Sequence, residues 1–359
     1  MAVTCGIMGL PAVGKTTIFN LLTKNVPSRH GQVNIGTVSV PDSRLDYLWT
    51  LYKPEKKTYA FLEIMDIPGF NPGEMDREQM RKFFEEIRKA DVLINVVRGF
   101  RNEAVWHVEG DVDIKRDIDF ISTELILNDL QLIETRISNI EETRQKKGIT
   151  NETEAELSAL LKLREALEKE IPISSVDLSE IEKRAVHHLS FLTSKPMILV
   201  INLDEDQLSE GYPEKEYVHG WAKERDHKLI EMCAVLEQEI SELDASDQLM
   251  FLKEMGVEQP GSERISRAIF DSLDLITFFT VGKDEVKAWV ITEGTNARKA
   301  AGKVHSDMER GFIRAEVVGF EDFKACGSEK EARKRGLYRL EGKDYIVQDG
   351  DIIQFRFNV

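Results

Sequence analysis

The eight residues Gly9–Thr16 read GLPAVGKT and fit the spacing G-x-x-x-x-G-K-[ST]. A short apolar run at 2–8 precedes them and a helix-like run at 15–24 follows, so the motif stands where a strand turns into a helix. The N–H groups of such a loop, with the positive end of the helix, attract phosphate oxygens. Ala12, Val13 and Gly14 belong to the loop that holds the phosphates, and Gly14 lets the backbone come close. Lys15 reaches the outer phosphates and is the candidate catalytic residue. Thr16 offers a hydroxyl to Mg2+, and Thr17 adds a phosphate contact.

A second motif, Asp66-Ile67-Pro68-Gly69, starts 51 residues after Lys15, at the end of the strand-like segment TYAFLEIM (58–65). D-x-x-G at a strand end suits a metal and a γ-phosphate. Asp66 would support Mg2+ through water, and the Gly69 N–H would sense the phosphate. Many enzymes of this design carry a glutamine next, to orient the attacking water. Here that residue is Phe70, which aligns no water by hydrogen bonding. Any hydrolysis must use another group.

The third stretch, PMILVINLDE at 196–205, reads as a buried strand ending in polar residues. The corresponding strand of many P-loop proteins ends in Asn-Lys-x-Asp, which reads guanine. Asn202 is present, but Leu203 replaces the lysine and Glu205 the aspartate. A carboxylate of different reach disturbs the guanine pair, and each buried donor left unpaired costs about 1–3 kcal/mol. Leu203 offers a base only apolar packing.

These motifs require a scaffold, and the pattern supplies one. Over the first 110 residues strand-like and helix-like segments alternate, including a helix at 76–89 and the apolar run DVLINVV at 91–97. This predicts a mostly parallel sheet with helices on its faces, an α/β fold. Ile126, Leu130, Ile133, Ile137 and Ile140 then step by four, three, four and three, a coiled-coil seam. KKGITNET (146–153) breaks it, and Leu157, Leu160, Leu161, Leu167 and Ile171 follow. An antiparallel helical hairpin is expected over 115–193. It reads equally as a partner-binding arm or as packing for the domain. Alternation resumes at 196, with a helix near 214–225, a strand at 228–233 and helices through about 275. Residues 276–359 read as a separate strand-rich α+β domain.

The chain has 359 residues and a net charge of −16, but residues 276–359 carry a net of +1 and the rest −17. An acidic body argues against broad nucleic-acid binding, and DNA is not expected as a partner. The tail is the better candidate for touching RNA. Its Phe312, Arg314, Tyr338, Arg339, Tyr345, Phe355 and Arg356 interleave aromatic and basic residues. They read either as alternating sheet residues with aromatics in the core or as an RNA-facing surface. No apolar run reaches 18 residues, so no membrane span is expected, and the first residues read as a strand and not a signal peptide. Cys5, Cys233 and Cys326 are scattered, which fits a reducing cytoplasm. His187 and His188 read as structural, since no further ligand stands at useful spacing.

The whole chain resembles the YchF or Obg-like ATPases, a branch of the translation-factor-related P-loop proteins. GLPAVGKTTIFNLLT, VPDSRLDYL, HVEGDVDIKRDIDFI and FLTSKPM are similar to family segments. VKAWVITEGTNARKAAGKVHSDMERGFIRAEVV and YRLEGKDYIVQDGDIIQFRFNV resemble its C-terminal TGS domain almost residue for residue. The resemblance implies a G-type P-loop domain over 1–275 with an inserted helical hairpin, and a β-grasp TGS domain over 276–359. NLDE at 202–205 fits the family's N-x-x-E motif and implies ATP rather than GTP, with Asn202 on the base, Leu203 packing on it and Glu205 helping to set its edge. CAVLE matches a fifth motif, with Cys233, Ala234 and Val235 at the base. Association with the ribosome is implied as well.

Two segments depart from the family pattern. KNVPSRHGQVNIGTVSVPD is about six residues shorter and lacks a matching threonine, Thr37 lying on the following strand. NPGEMDREQMRKFFEE is charged and helix-prone where the family is glycine-rich, and it holds no histidine. Two readings follow: a slow Mg2+-dependent ATPase that couples nucleotide state to a ribosome or other large partner, and a nucleotide-gated adaptor without turnover. A GTPase is disfavoured by Leu203 and Glu205.

Overall fold

The computed structural model describes residues 3–23, 32–244, 247–248, 250–251, 257 and 259–358. They form two compact units. One comprises Val3–Gly36 with Glu63–Ile265. The other comprises Thr37–Leu62 with the chain from Ser266 onward.

The first part of the chain runs β1 (Val3–Met8), α1 (Lys15–Thr23), β2 (Asn34–Val40), α2 (Ser43–Tyr52), β3 (Lys56–Thr58), β4 (Ala60–Asp66), α3 (Arg77–Arg88) and β5 (Val92–Arg98). It continues with α4 (Ile114–Lys147), α5 (Asn151–Glu168), α6 (Glu180–Val186), β6 (Met197–Asn202), α7 (Glu205–Glu210), α8 (Lys215–Glu224), β7 (Lys228–Met232) and α9 (Ala234–Ser241). A six-stranded sheet has the order β2-β4-β1-β5-β6-β7. The pairs β1–β5, β5–β6 and β6–β7 are parallel. β5 and β6 are buried along their whole length, which is why both read as continuous apolar runs.

The hairpin is present as α4 and α5. α4 starts under an Asp113 cap and ends at Gly148. With 34 residues it extends about 50 Å. Ile133, Ile137 and Ile140 meet Ala159, Leu160, Leu163 and Leu167 in a dry seam. The Arg136 guanidinium holds Glu156 across it at 2.6 Å.

The C-terminal chain adds β8 (Leu275–Val281), β9 (Glu285–Thr292), β10 (Phe312–Gly319), β11 (Arg339–Glu341) and β12 (Asp351–Phe357). The sheet order is β11-β10-β12-β8-β9-β3. β8 and β9 are antiparallel while β12 runs parallel to β8, and helix Ala297–Val304 covers one face, giving a β-grasp fold. Phe312, Tyr345 and Phe355 are half-buried and pack against the core of that face. Arg314, Arg339 and Arg356 stay exposed.

The other face is covered in part by a segment from early in the chain. Leu45 and Leu48 of α2 and Ala60 pack with Phe279, Val286, Val318 and Phe323. The single strand read at 58–65 is two strands: β3 pairs in parallel with β9, and β4 joins the first sheet. Thr58 Oγ1 donates to Glu285 Oε1 at 2.5 Å and helps to fix β3 there. The alternation of β10 is interrupted by a register shift between Phe312 and Arg314, so pattern alone did not mark it as a strand. Among the described residues no helix is long and apolar enough to cross a membrane.

Candidate functional site

The GLPAVGKT loop follows β1 and leads into α1, at the ends of the parallel strands where open α/β sheets bind ligands. Ala12 adopts a left-handed conformation, φ 58°. Gly14 has φ +98°, and a Cβ there would stand 2.3 Å from Asn202 Nδ2. Only glycine fits both the dihedral and the neighbour. Lys15 is buried, and its ammonium donates to the carbonyls of Gly9 at 3.2 Å and Leu10 at 2.7 Å. Burial pushes its pKa down to about 8, against the opposing pull of the Asp66 carboxylate. Thr16 Oγ1 donates to Asp66 Oδ2 at 3.1 Å. A hydroxyl and a carboxylate side by side are hard oxygen donors, a fit for Mg2+. Thr17 is the third residue of α1, half-buried.

The D-x-x-G segment is built directly against this loop. Ile67 N–H donates to Ile7 O and Phe70 N–H to Gly9 O, each at 3.1 Å. A Cβ on Gly69 would meet Pro11 Cα at 2.8 Å, so the glycine is required by the close approach of the two loops. Pro11, at an x of the motif, is the residue that Gly69 packs against.

At the end of β6, Asn202 is buried and bridges two segments. Its Nδ2 donates to Val13 O at 3.0 Å, and its Oδ1 accepts from Ala234 N at 3.0 Å. The structure therefore joins Val13, Gly14, Asn202 and Ala234. Leu203 is 2 % exposed, and its Cδ2 lies where a Cβ on Gly99 would fall. This differs from the expected packing on a base: the side chain faces the core. Glu205 is the exposed first residue of α7, beside Asp204, Gln207 and Arg101 at an open cavity of about 640 Å³. Cys233 precedes α9 half-buried, its thiol pKa raised by burial, and Val235 is 62 % exposed.

The loop after β5 carries no contiguous motif, yet it is tied to Asn202 and Asp204. Asn202 O accepts from both Gly99 N and Phe100 N, at 2.8 and 3.0 Å, and Asp204 Oδ2 accepts from Arg101 N at 2.8 Å. Buried Arg98 holds the loop through Phe100 O, Asn102 O and Val105 O. His107 Nε2 and Asp117 Oδ2 share a buried 3.0 Å hydrogen bond, and burial raises the Asp117 carboxyl pKa despite Arg116 beside it. An arginine ending an apolar strand was the available signal.

The chain is 41 % identical over 368 residues to the ribosome-binding ATPase YchF of Bacillus subtilis, covering all of both proteins. The chain belongs to the YchF family. It is also 42 % identical over 366 residues to the ribosome-binding ATPase YchF of Haemophilus influenzae, again covering both in full. The solved YchF GTPase of Schizosaccharomyces pombe superposes with a TM-score of 0.87 at 31 % identity, covering 99 % of this chain and 97 % of that one. The YchF-GTPase C-terminal family model, described as a protein of unknown function, matches residues 275–358, and the 50S ribosome-binding GTPase model matches 4–125.

In this YchF-family chain, position 70 is turned away from chemistry. Phe70 is buried and stacks on Phe83 at 4.6 Å between ring centres, with Phe84 at 5.5 Å and Phe120 at 6.3 Å. The charged segment after it forms α3, started by a reciprocal Asp76–Gln79 capping box. Of the shortened segment at 24–42, residues 24–31 lie outside the described residues, and Thr37 stands on β2.

Proposed function

We propose that this protein binds ATP with Mg2+, hydrolyses it slowly, and couples its nucleotide state to the ribosome. The observation that carries the reading is the convergence of Lys15, Thr16, Asp66 and Gly69 around one glycine-bearing loop. Thr16 and Asp66 would hold Mg2+, which would neutralise charge on the phosphates. Lys15 and the N–H groups of Ala12–Thr17 would hold the phosphates. The base would lie by Glu205, Cys233 and Val235, with Asn202 fixing the walls of that pocket, and Leu203 and Glu205 disfavour guanine. The names of the relatives, ribosome-binding ATPases, support both the ATPase activity and the ribosome.

Residues 1–275 would form the nucleotide-binding domain with the 115–193 helical insertion, and 276–359 the TGS domain. The arm and the TGS domain would meet the partner. With Phe312, Tyr345 and Phe355 half-buried against the core, exposed Arg314, Arg339 and Arg356 are the residues suited to RNA phosphates. A cytoplasmic location suits this partner.

The second reading, an adaptor without turnover, is favoured by burial of Phe70 where hydrolases place a water-orienting side chain. Purified protein with Mg2+, assayed for binding and turnover of ATP and GTP with and without ribosomes, separates the readings. ATP turnover above a Lys15→Ala control is expected. Tight ATP binding without it would establish the adaptor, and tighter GTP binding would overturn the base assignment.

A further inference from the structure

Phe70 follows the Gly69 N–H proposed to sense the γ-phosphate, and its ring is locked among Phe83 and Phe84 of α3 and Phe120 of α4. Both ends of this connection are constrained. Phe70 N–H is bonded to Gly9 O of the phosphate loop. The far end of α3 is fastened to α4 by Arg88, whose Nη2 donates to Asn128 Oδ1 at 2.7 Å and Asp129 Oδ1 at 3.0 Å, while Nη1 donates to Ser190 O at 2.9 Å.

Asp129 is fully buried, so that anchor is rigid. Besides Arg88 it accepts from Leu192 N, Thr193 N and Thr193 Oγ1 at 2.8 to 3.1 Å. Breaking such a buried charged pair leaves an uncompensated charge, which is strongly unfavourable. α3 therefore meets α4 through Phe70, whose ring touches Phe83 and Phe84 on one helix and Phe120 on the other, and one turn beyond Phe84 through the Arg88 ion pair. Close-packed contacts of this kind pass a displacement on instead of absorbing it.

We propose that Phe70 and α3 form a relay that carries the state of the D-x-x-G loop to the base of the helical arm. The substitution that removes a water-orienting side chain from position 70 supplies a lever in its place. A shift of Gly69 on phosphate binding moves Phe70 and tilts α3. Arg88 then pulls on Asn128 and Asp129, one turn short of the α4–α5 seam at Ile133. The arm becomes the readout of the nucleotide. This inference rests on the reading of the protein as a nucleotide-dependent switch.

The test is hydrogen exchange, read by mass spectrometry on the full chain loaded with Mg2+ and either a non-hydrolysable ATP analogue or ADP. Peptides covering 114–133 are expected to exchange at rates differing roughly threefold or more between the two states. In Phe70→Leu and Arg88→Met that ratio should fall to about one, while affinity for a fluorescent ATP analogue stays within roughly threefold of wild type. Two variants at opposite ends of the relay guard against misfolding of either. Equal exchange in both nucleotide states of a wild type that binds both would overturn the relay alone. A ratio preserved in both variants, even with faster exchange throughout, would show that these contacts are only structural. Absence of nucleotide binding by the wild type would remove the switch reading and the relay together.

Discussion

Asn202 donates from its side-chain amide to the Val13 carbonyl at 3.0 Å, across 189 residues of sequence. The same amide accepts from Ala234 N, so one side chain fastens the phosphate loop to the segment beyond β7. Asn202→Ala leaves a buried N–H and a buried carbonyl without these partners, at about 1–3 kcal/mol for each unsatisfied group. ATP affinity is expected to fall at least tenfold, with a modest drop in melting temperature. Isothermal titration with ATP checks this, and an unchanged affinity in a folded variant would remove Asn202 from the site.

The depressed pKa of Lys15 makes nucleotide binding pH-dependent. Burial holds the free ammonium at about 8, and a bound polyphosphate raises that value by supplying the missing counter-charge. Binding therefore takes up a proton above pH 8 and none well below it. ATP affinity should be flat from pH 6.5 to 7.5 and fall above about 8, approaching tenfold per unit. Lys15→Arg, which stays charged throughout, should bind more weakly but with a flat profile across pH 8–9.5. Parallel profiles for the two proteins would show that another group titrates.

The motifs were legible because each is contiguous and chemically specific. Gly14, Lys15, Thr16, Asp66 and Gly69 stand where a strand-to-loop reading puts them. What was not legible depends on partners remote in sequence. The task of Asn202 is set by Val13 and Ala234, and the inward turn of Leu203 by its packing at Gly99. The split of 58–65 between two sheets follows from β3 pairing with β9, a contact across more than 220 residues that no local periodicity encodes. The hairpin was readable because its seam is a local repeat.

The place of α2 leads to a stability prediction. Leu45 and Leu48 are fully buried against Phe279, Val286 and Phe323, so residues 276–359 by themselves lack part of their own core. That fragment is expected to melt without a cooperative transition and to bind a hydrophobic dye. In the full chain, Leu48→Ala should destabilise the C-terminal unit by about 2–5 kcal/mol. Urea unfolding followed by Trp289 fluorescence measures it. A fragment with dispersed amide resonances and a sharp melt would show that α2 is dispensable.

His227 links stability to acid. It lies against Trp221, with ring centres 5.4 Å apart, and burial, assisted by the charge of Arg225, pushes its pKa down to about 4. The unfolded imidazole takes its proton near pH 6.5, whereas the folded one waits until about 4. Between these values the unfolded state binds more protons, so stability falls as pH drops through the window and levels off below it. The loss amounts to on the order of 2–3 kcal/mol. His227→Gln, which cannot titrate, should lose that much less between pH 7 and 4 in urea unfolding curves. The comparison must be made as a difference between the two proteins, because carboxylates also titrate in this range. Identical acid slopes would mean that the folded imidazole is already free to take its proton.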